Sequence, residues 1–383
     1  MLFLEMQLLD KSRVLTLLKE MISVNSENPE GITEGVSKVL RDHLEAYGIA
    51  CTPVGLAERP NLIFSSHDGQ KGDLLLHGHM DTVPIGPPED WSHDPFASEI
   101  VDGRLYGRGS CDMKGPVAAL VETLILYTEE RNPKPLVVLA TSDEETGCHG
   151  AEVVARSGQL DGISYGVCAE PTSLQILVGE KGIFWTKLVA KGKSAHGSRP
   201  EEGINAIQAC IDAINLMTKE PFPYLHDELL GEPTFNIGVI EGGMKINIVP
   251  DKCEVQLDMR LAKGQNPEDL LRAMNERLRA SGLSEKVHIE YIHGKPPVLT
   301  PLDSKIVQLA RSAVEKVTGI SPTLETATYG TDCSVLQPDV GILNVICGPG
   351  SIEQAHQPDE YILLDELYQS VDVYLEIAHH FSQ

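Results

Sequence analysis

Several things are scarce in this 383-residue chain, and each scarcity removes a class of function. Lys and Arg number 31 against 56 Asp and Glu, a formal net charge of −25. Nucleic acid and anionic membrane surfaces are held by basic patches, so neither is an expected partner. No run approaches the roughly 18 apolar residues that a membrane-spanning helix needs. The opening stretch MLFLEMQLLDKSRVLTLLKEMISV has no basic leader and carries acids among its apolar residues, which reads as an amphipathic helix and not as a signal peptide. The eight cysteines, at 51, 111, 148, 168, 210, 253, 333 and 347, never form a CxxC pair. They fit the reduced, buried thiols of a cytoplasmic protein better than a disulfide framework or a zinc finger. There is no internal repeat and no low-complexity tract.

What is present is an ordinary enzyme composition, 42% hydrophobic and 23% charged, on a chain long enough for two domains. The acidic field suits a metal site and a cationic substrate or product. The centre of the chain's organisation is LLLHGHMDTVP at 74–84, followed after a Pro-, Gly- and Asp-rich loop at 84–102 by LYGRGSCDMKG. Leu74, Leu75 and Leu76 read as a buried strand of a parallel sheet, and His79 and Asp81 fall just past its end, where open α/β sheets place their sites. Being two residues apart, they share a direction, so an Asp81 oxygen can orient the His79 ring. A lone HxD is common, and Asp112, just before the helical run 117–126, has the bland alternative of a helix cap. Two candidate ligands at two element ends in one unit make the metal reading the stronger one.

Further apolar strands are expected at 61–65, 73–77 and 135–140, the last delivering TSDEETG, and a strand over 165–169 ends in Glu170. Helices are expected over 8–23 and 33–48. After about residue 178 the pattern becomes strand 183–190, helix 203–217, strands 234–240 and 252–261, helix 267–281 and strand 287–291. That order, β-α-β-β-α-β, is a ferredoxin-like module. The expected fold class is α/β: a catalytic domain (1–178 and 294–383) with a mostly parallel central sheet flanked by helices, plus an inserted α+β domain (179–293). The chain then returns with a helix at 304–318, a loop YGTDCSVL, a strand at 342–347, GPGSIEQAHQPDEYI and a closing helix at 364–381.

The candidate metal ligands are His79, Asp112, Glu145, Glu170 and His356. Mixed imidazole and carboxylate ligation suits zinc, cobalt or manganese, and five ligands fit two ions sharing one carboxylate, the arrangement of hydrolytic two-metal sites. Glu144, next to a ligand yet free of metal, is the candidate proton carrier. His77 reads as a packed or supporting imidazole. Asp332 could touch a substrate amine or cap a helix.

HGHMDTVP, GRGSCDMKG, TSDEETG, AEPT, KGKSAHGSRPEEGINAI and GPGSIEQAHQPDEY together resemble the dinuclear metallo-amidohydrolase and exopeptidase family, over nearly the whole chain. Acetylornithine deacetylases, succinyl-diaminopimelate desuccinylases, aminoacylases and a glutamate carboxypeptidase belong to it. The resemblance implies that the inserted domain (179–293) is a lid and dimerisation domain, and it implies two divalent ions, zinc with cobalt as an alternative. It implies Asp112 as the bridge, His79 with Glu170 on one ion and Glu145 with His356 on the other, Asp81 orienting His79, and Glu144 as general acid/base. It further implies that His196 stabilises an oxyanion, across a homodimer in some members, and that Asn247 and Arg260 bind substrate. GPGSIEQAHQPDEY and EPTSLQILVGEKGIFW resemble most the acetylornithine deacetylase branch, which implies release of ornithine and acetate from N-acetyl-ornithine in arginine biosynthesis. A desuccinylase, another aminoacylase, or a dipeptidase or carboxypeptidase of the same family is the alternative. A non-catalytic protein that kept the fold would have lost ligands or the base, and here all are present.

Overall fold

The computed structural model describes residues 9–29, 32–67, 72–130 and 134–382. It divides into two compact units, the first of 1–179, 300–325 and 331–383 and the second of 180–299 and 326–330.

The first unit begins with α1 (Lys11–Ile22), started by the Asp10 carboxylate accepting the backbone N–H groups of Ser12 and Arg13. Residues 1–8 of the expected amphipathic stretch lie outside the described residues. α2 (Glu34–Glu45) follows, then β1 (Cys51–Leu56), β2 (Arg59–Ser65), β3 (Leu74–His79), α3 (Lys114–Glu129), β4 (Leu136–Thr141), α4 (His149–Ser157), β5 (Tyr165–Pro171) and β6 (Ile176–Glu180). β3 and β4 are buried along their whole length, as strands covered on both faces must be, which is why they read as unbroken Leu and Val runs. α3 is buried on nearly every side and is correspondingly apolar all round; its Glu122 is tolerated because Arg13 pairs with it at 2.5 Å.

Within this unit the sheet runs β1-β2-β4-β3-β5-β11-β6, where β11 is Leu343–Gly348. The four central strands β4, β3, β5 and β11 are mutually parallel, with Leu76 opposite Val138 on one side and Val167 on the other. Their C-terminal ends therefore line up along one edge. A small sheet of Ile100–Val101, Arg104–Tyr106 and Tyr361–Leu363 lies partly within the expected loop and pairs Tyr361 with Tyr106. That pairing draws the HQPDEY run alongside GRGSCD, since Gly107 N donates to Glu360 O at 2.9 Å.

The second unit consists of β7 (Gly182–Lys191), α5 (Ala206–Thr218), β8 (Thr234–Gly242), β9 (Lys252–Leu261), α6 (Pro267–Ser281) and β10 (Val287–Lys295). Its sheet order is β8-β9-β7-β10, antiparallel throughout. β9 alternates buried and open residues, and Val255 and Leu257 pack with Cys210, Ala213, Leu270 and Met274 of the two helices. β8 is one of the two edge strands and is exposed along almost all its length.

Several expectations need correcting. The second unit extends to Leu299 rather than 293 and includes Thr326–Gly330, because β10 continues to Lys295, opposite Ile183, and Lys181 N bonds to Ala327 O at 3.1 Å. The YGTDCSVL segment is not all loop: α8 (Cys333–Val340) forms in spite of Pro338, ending at Gly341 with a φ of +87°. β1, α4 and β6 had no expected counterpart. The helix α7 (Lys305–Thr318) and the closing helix α9 (Leu364–Ser382) lie where expected. Among the described residues no helix is long and apolar enough to cross a membrane.

Candidate metal centre

Each of the four parallel strands contributes from its C-terminal end. His79 is the last residue of β3 rather than the first beyond it; Glu144 and Glu145 follow β4; Glu170 lies within the end of β5; His356 follows β11. Asp112 comes from the segment just before α3, whose cap position is occupied by Met113, so capping is not its role.

His79 is 1% exposed, and its Nδ1 lies 2.9 Å from the main-chain oxygen of Asp81. A carbonyl only accepts, so Nδ1 carries a proton, and Nε2 is the nitrogen left to face the carboxylates or a metal. That Nε2 lies 3.0 Å from Asp112 Oδ1, 3.5 Å from Glu170 Oε1 and 4.0 Å from Glu144 Oε2. The second oxygen of Asp112 is 3.3 Å from His356 Nε2, and Glu145 Oε1 is 3.1 Å from the same nitrogen. One carboxylate thus presents an oxygen to each of two imidazoles, each imidazole having a Glu of its own.

The sequence expectation for Asp81 is met only in part. Its backbone oxygen orients His79, while its carboxylate Oδ1 stands 3.6 Å from that ring. The carboxylate instead accepts Glu144 N at 3.2 Å, Glu145 N at 3.1 Å and the Asn28 amide at 2.5 Å, fixing the loop that carries both glutamates.

Burial raises Glu144, Glu145 and Glu170 above the ordinary carboxylate range, and neighbouring carboxylates add to the effect. Asp112 is pushed the other way: burial opposes its ionisation, but hydrogen bonds from His356 and His79 outweigh it. Five acids, Asp81, Asp112, Glu144, Glu145 and Glu170, face two imidazoles, an excess of negative charge that a pair of divalent cations would offset. His79, Asp112 and Glu145, and likewise His79, Glu144 and Glu170, place one ligand atom each within 4.8 Å of the others, so this donor set can hold metal.

His77 is fully buried, Nε2 lies 3.1 Å from Asn344 Oδ1, and burial lowers it to about 4; it is a packed imidazole. Asp332 neither caps α8 with its side chain nor lies open: it is 2% exposed and accepts the Thr141 hydroxyl at 2.6 Å. His196, Asn247 and Arg260 belong to the second unit. There Gly197 N donates to Asn247 O at 2.8 Å, an approach that a Cβ on Gly197 would obstruct, and His196 Nδ1 lies 2.7 Å from Ser198 Oγ. Arg260 is held by Asp258, Nε to Oδ1 at 3.1 Å.

Sequence reasoning missed Glu360. It is fully buried, pairs with Arg108 at 2.6 Å and accepts the N–H groups of Cys111 at 2.8 Å and Asp112 at 2.9 Å. Its only signal was proximity to His356 in HQPDEY, and nothing there separates it from a surface acid. Asn28, within a segment read as a break, was missed for the same reason.

With this geometry in hand, comparison with known proteins is informative. The model of Peptidase family M20/M25/M40 matches residues 75–380. Acetylornithine deacetylase of Edwardsiella ictaluri is 37% identical over 333 residues, covering 84% of each chain. That of Klebsiella pneumoniae is 35% identical over 334 residues, covering 84% of this chain and 83% of the relative. Among solved structures, the metallo-carboxypeptidase Sso-CP2 of Sulfolobus solfataricus superposes with a TM-score of 0.83 at 22% identity, over 96% of this chain and 99% of that one. The dinuclear metal-binding peptidase YXEP of Bacillus subtilis gives 0.72 at 18% identity, over 96% and 97%. These two likenesses establish the fold.

In chelator-treated protein, hydrogen bonds to Asp112 and Glu145 raise His356 from 6.5 to about 10. A proton held more tightly in the folded state stabilises it, so the contribution is complete below about 6.5 and is lost as pH rises through about 10. His356→Gln should therefore lower the urea midpoint at about pH 6 and have little effect above about pH 10. A difference between variant and wild type that grows with pH would contradict the assignment.

Proposed function

Because the chain belongs to Peptidase family M20/M25/M40, we propose that it is a metal-dependent amidohydrolase that releases ornithine and acetate from N-acetyl-ornithine, a step of arginine biosynthesis. The observation that carries the chemistry is the Asp112 carboxylate set between His79 and His356, with Glu144 alongside. The substrate rests on the curated relatives, which are 34–37% identical acetylornithine deacetylases. The acidity of the chain suits a cationic product.

His79 and Glu170 would hold one ion, Glu145 and His356 the other, and Asp112 both. The ions are assigned as zinc, with cobalt able to replace it. When bound they would polarise the scissile carbonyl and make water a nucleophile near neutral pH. The protein supplies the rest. Asp81 and Asn28 hold the 143–147 loop so that Glu144 faces the cluster. Burial raises the proton affinity of Glu144, which suits it to take the proton of the attacking water and return it to the leaving amine. In the second unit His196 is assigned to the oxyanion, and Asn247 and Arg260 to the substrate's backbone and carboxylate. The eight cysteines are free thiols, in keeping with a cytoplasmic setting.

The assembly we propose is a homodimer formed through the second unit. β8 is an exposed edge strand carrying Ile237, Val239 and Ile240, and Met244 and Ile246 lie open just beyond it. Such an edge invites pairing with a second copy.

Protein stripped by chelator and then given zinc or cobalt should hydrolyse N-acetyl-ornithine and leave N-succinyl-diaminopimelate intact. Release from the succinylated compound alone would replace the substrate assignment. Glu144→Gln should keep fold and metal content while turnover falls by about 10²–10⁴-fold; normal turnover would remove Glu144 from its role. If His196 serves the partner's site, mixing His196→Ala with Glu144→Gln subunits should restore about a quarter of wild-type activity, because half the dimers are mixed and each mixed dimer has one complete site. No recovery after confirmed subunit exchange would confine His196 to its own chain.

A further inference from the structure

A second group of ligand-type side chains lies beside the cluster, in the same unit. Cys148 occupies the cap position of α4, and its thiol lies 3.7 Å from Glu144 Oε1. Asp332, at the entrance of α8, directs one oxygen to Thr141, while its other oxygen, Oδ1, is buried and meets no donor stronger than the neighbouring Cys148 thiol. One ligand atom each of Glu144, Cys148 and Asp332 lies within 4.8 Å of the others. A buried carboxylate oxygen whose nearest donor is a weak thiol is poorly satisfied and leaves room for a cation.

The spacing matches a cation. A tetrahedral zinc ion with Zn–S of about 2.3 Å and Zn–O of about 2.1 Å separates sulfur from oxygen by about 3.6 Å, against the 3.7 Å observed between Cys148 and Glu144. The sulfur also sets the selectivity. A thiolate favours zinc or cadmium over magnesium or manganese. The His79, Asp112, Glu145, Glu170 and His356 set contains no sulfur, so the two sites differ in softness.

We propose that Glu144, Cys148 and Asp332 form a third cation site, for zinc or a softer divalent ion, whose occupation inhibits the enzyme. Cys148 loses its thiol proton to solvent on binding, and a Glu144 oxygen bound to cation no longer accepts a proton from water. The inhibition, though not the binding, rests on the role proposed above for Glu144.

The test uses full-length, chelator-stripped protein titrated with cobalt, followed by bound-metal analysis and absorbance. The expected result is two equivalents without a thiolate-to-cobalt charge-transfer band and a third that brings the band. Cys148→Ser should bind only two equivalents, without the band, and Cys148→Ala, which adds no hydroxyl ligand, should agree. In parallel, zinc or cadmium beyond two equivalents should slow wild-type hydrolysis of N-acetyl-ornithine by about tenfold or more, and should not slow either variant relative to that variant's own rate at two equivalents. Saturation of wild type at two equivalents, or a band that persists in both variants, would overturn the site. A third ion that binds through Cys148 without slowing hydrolysis would overturn the inhibition and the role of Glu144, leaving the binding site intact.

Discussion

Holding like charges together is the constraint on which the rest of this structure depends. Asp112 approaches both imidazoles within 4 Å, Glu144 and Glu170 approach His79, and Glu145 approaches His356. Left to flexible loops, such acids would separate into water, since each buried carboxylate costs several kcal/mol when unpaired. The chain prevents this with two further acids whose carboxylates bind no imidazole nitrogen of the cluster closely. Asp81 collects the backbone N–H groups of Glu144 and Glu145, and Glu360 those of Cys111 and Asp112. Each converts a loose connection into a fixed one. Arg108 in turn neutralises Glu360, which lets an acid sit in the interior as an anchor.

The sheet explains why the ligands can come from so far apart in sequence. Four parallel strands, β4, β3, β5 and β11, lie side by side and end on the same edge. A residue just past any of them is within one to three strand spacings of the others. Positions 79, 112, 145, 170 and 356 therefore converge without a long excursion. The buried Leu and Val runs are the source of this order, because they set the register that places His79 opposite Thr141.

The same fact decides what was legible beforehand. Strands at 74–76 and 135–140 are apolar because both faces are covered, and polar residues placed directly after such runs stand out as candidate ligands. The antiparallel second unit was readable from alternation and from helix signals such as Asn266-Pro267. What could not be read depends on contacts far apart in sequence. Glu360 looks like a surface acid until the pairing of Tyr361 with Tyr106 buries it, and Asn28 looks like turn residue until it meets Asp81. β1 escaped because it pairs on one side only and shows no alternation, and α8 because Pro338 and Asp339 imitate a loop.

The charge arrangement also bears on where substrate recognition must reside. The basic side chains that the first unit brings near these loops are already engaged: Arg59 on Asp143, Arg108 on Glu360, and Lys114 on the carbonyl of Val24. None of the three is free to meet a substrate carboxylate. An amino-acid substrate carries such a group, and its burial without a counter-charge or strong donors would be prohibitive. Under the function proposed above, recognition of that end falls to other side chains, and His196, Asn247 and Arg260 are of the types required. Asp258 and the Thr328 carbonyl keep the Arg260 guanidinium oriented while leaving it partly exposed. Under that proposed function the first unit supplies the reacting centre, and selection among acyl amino acids is left to residues outside it, where sequence can vary without disturbing the acids that the strands hold together.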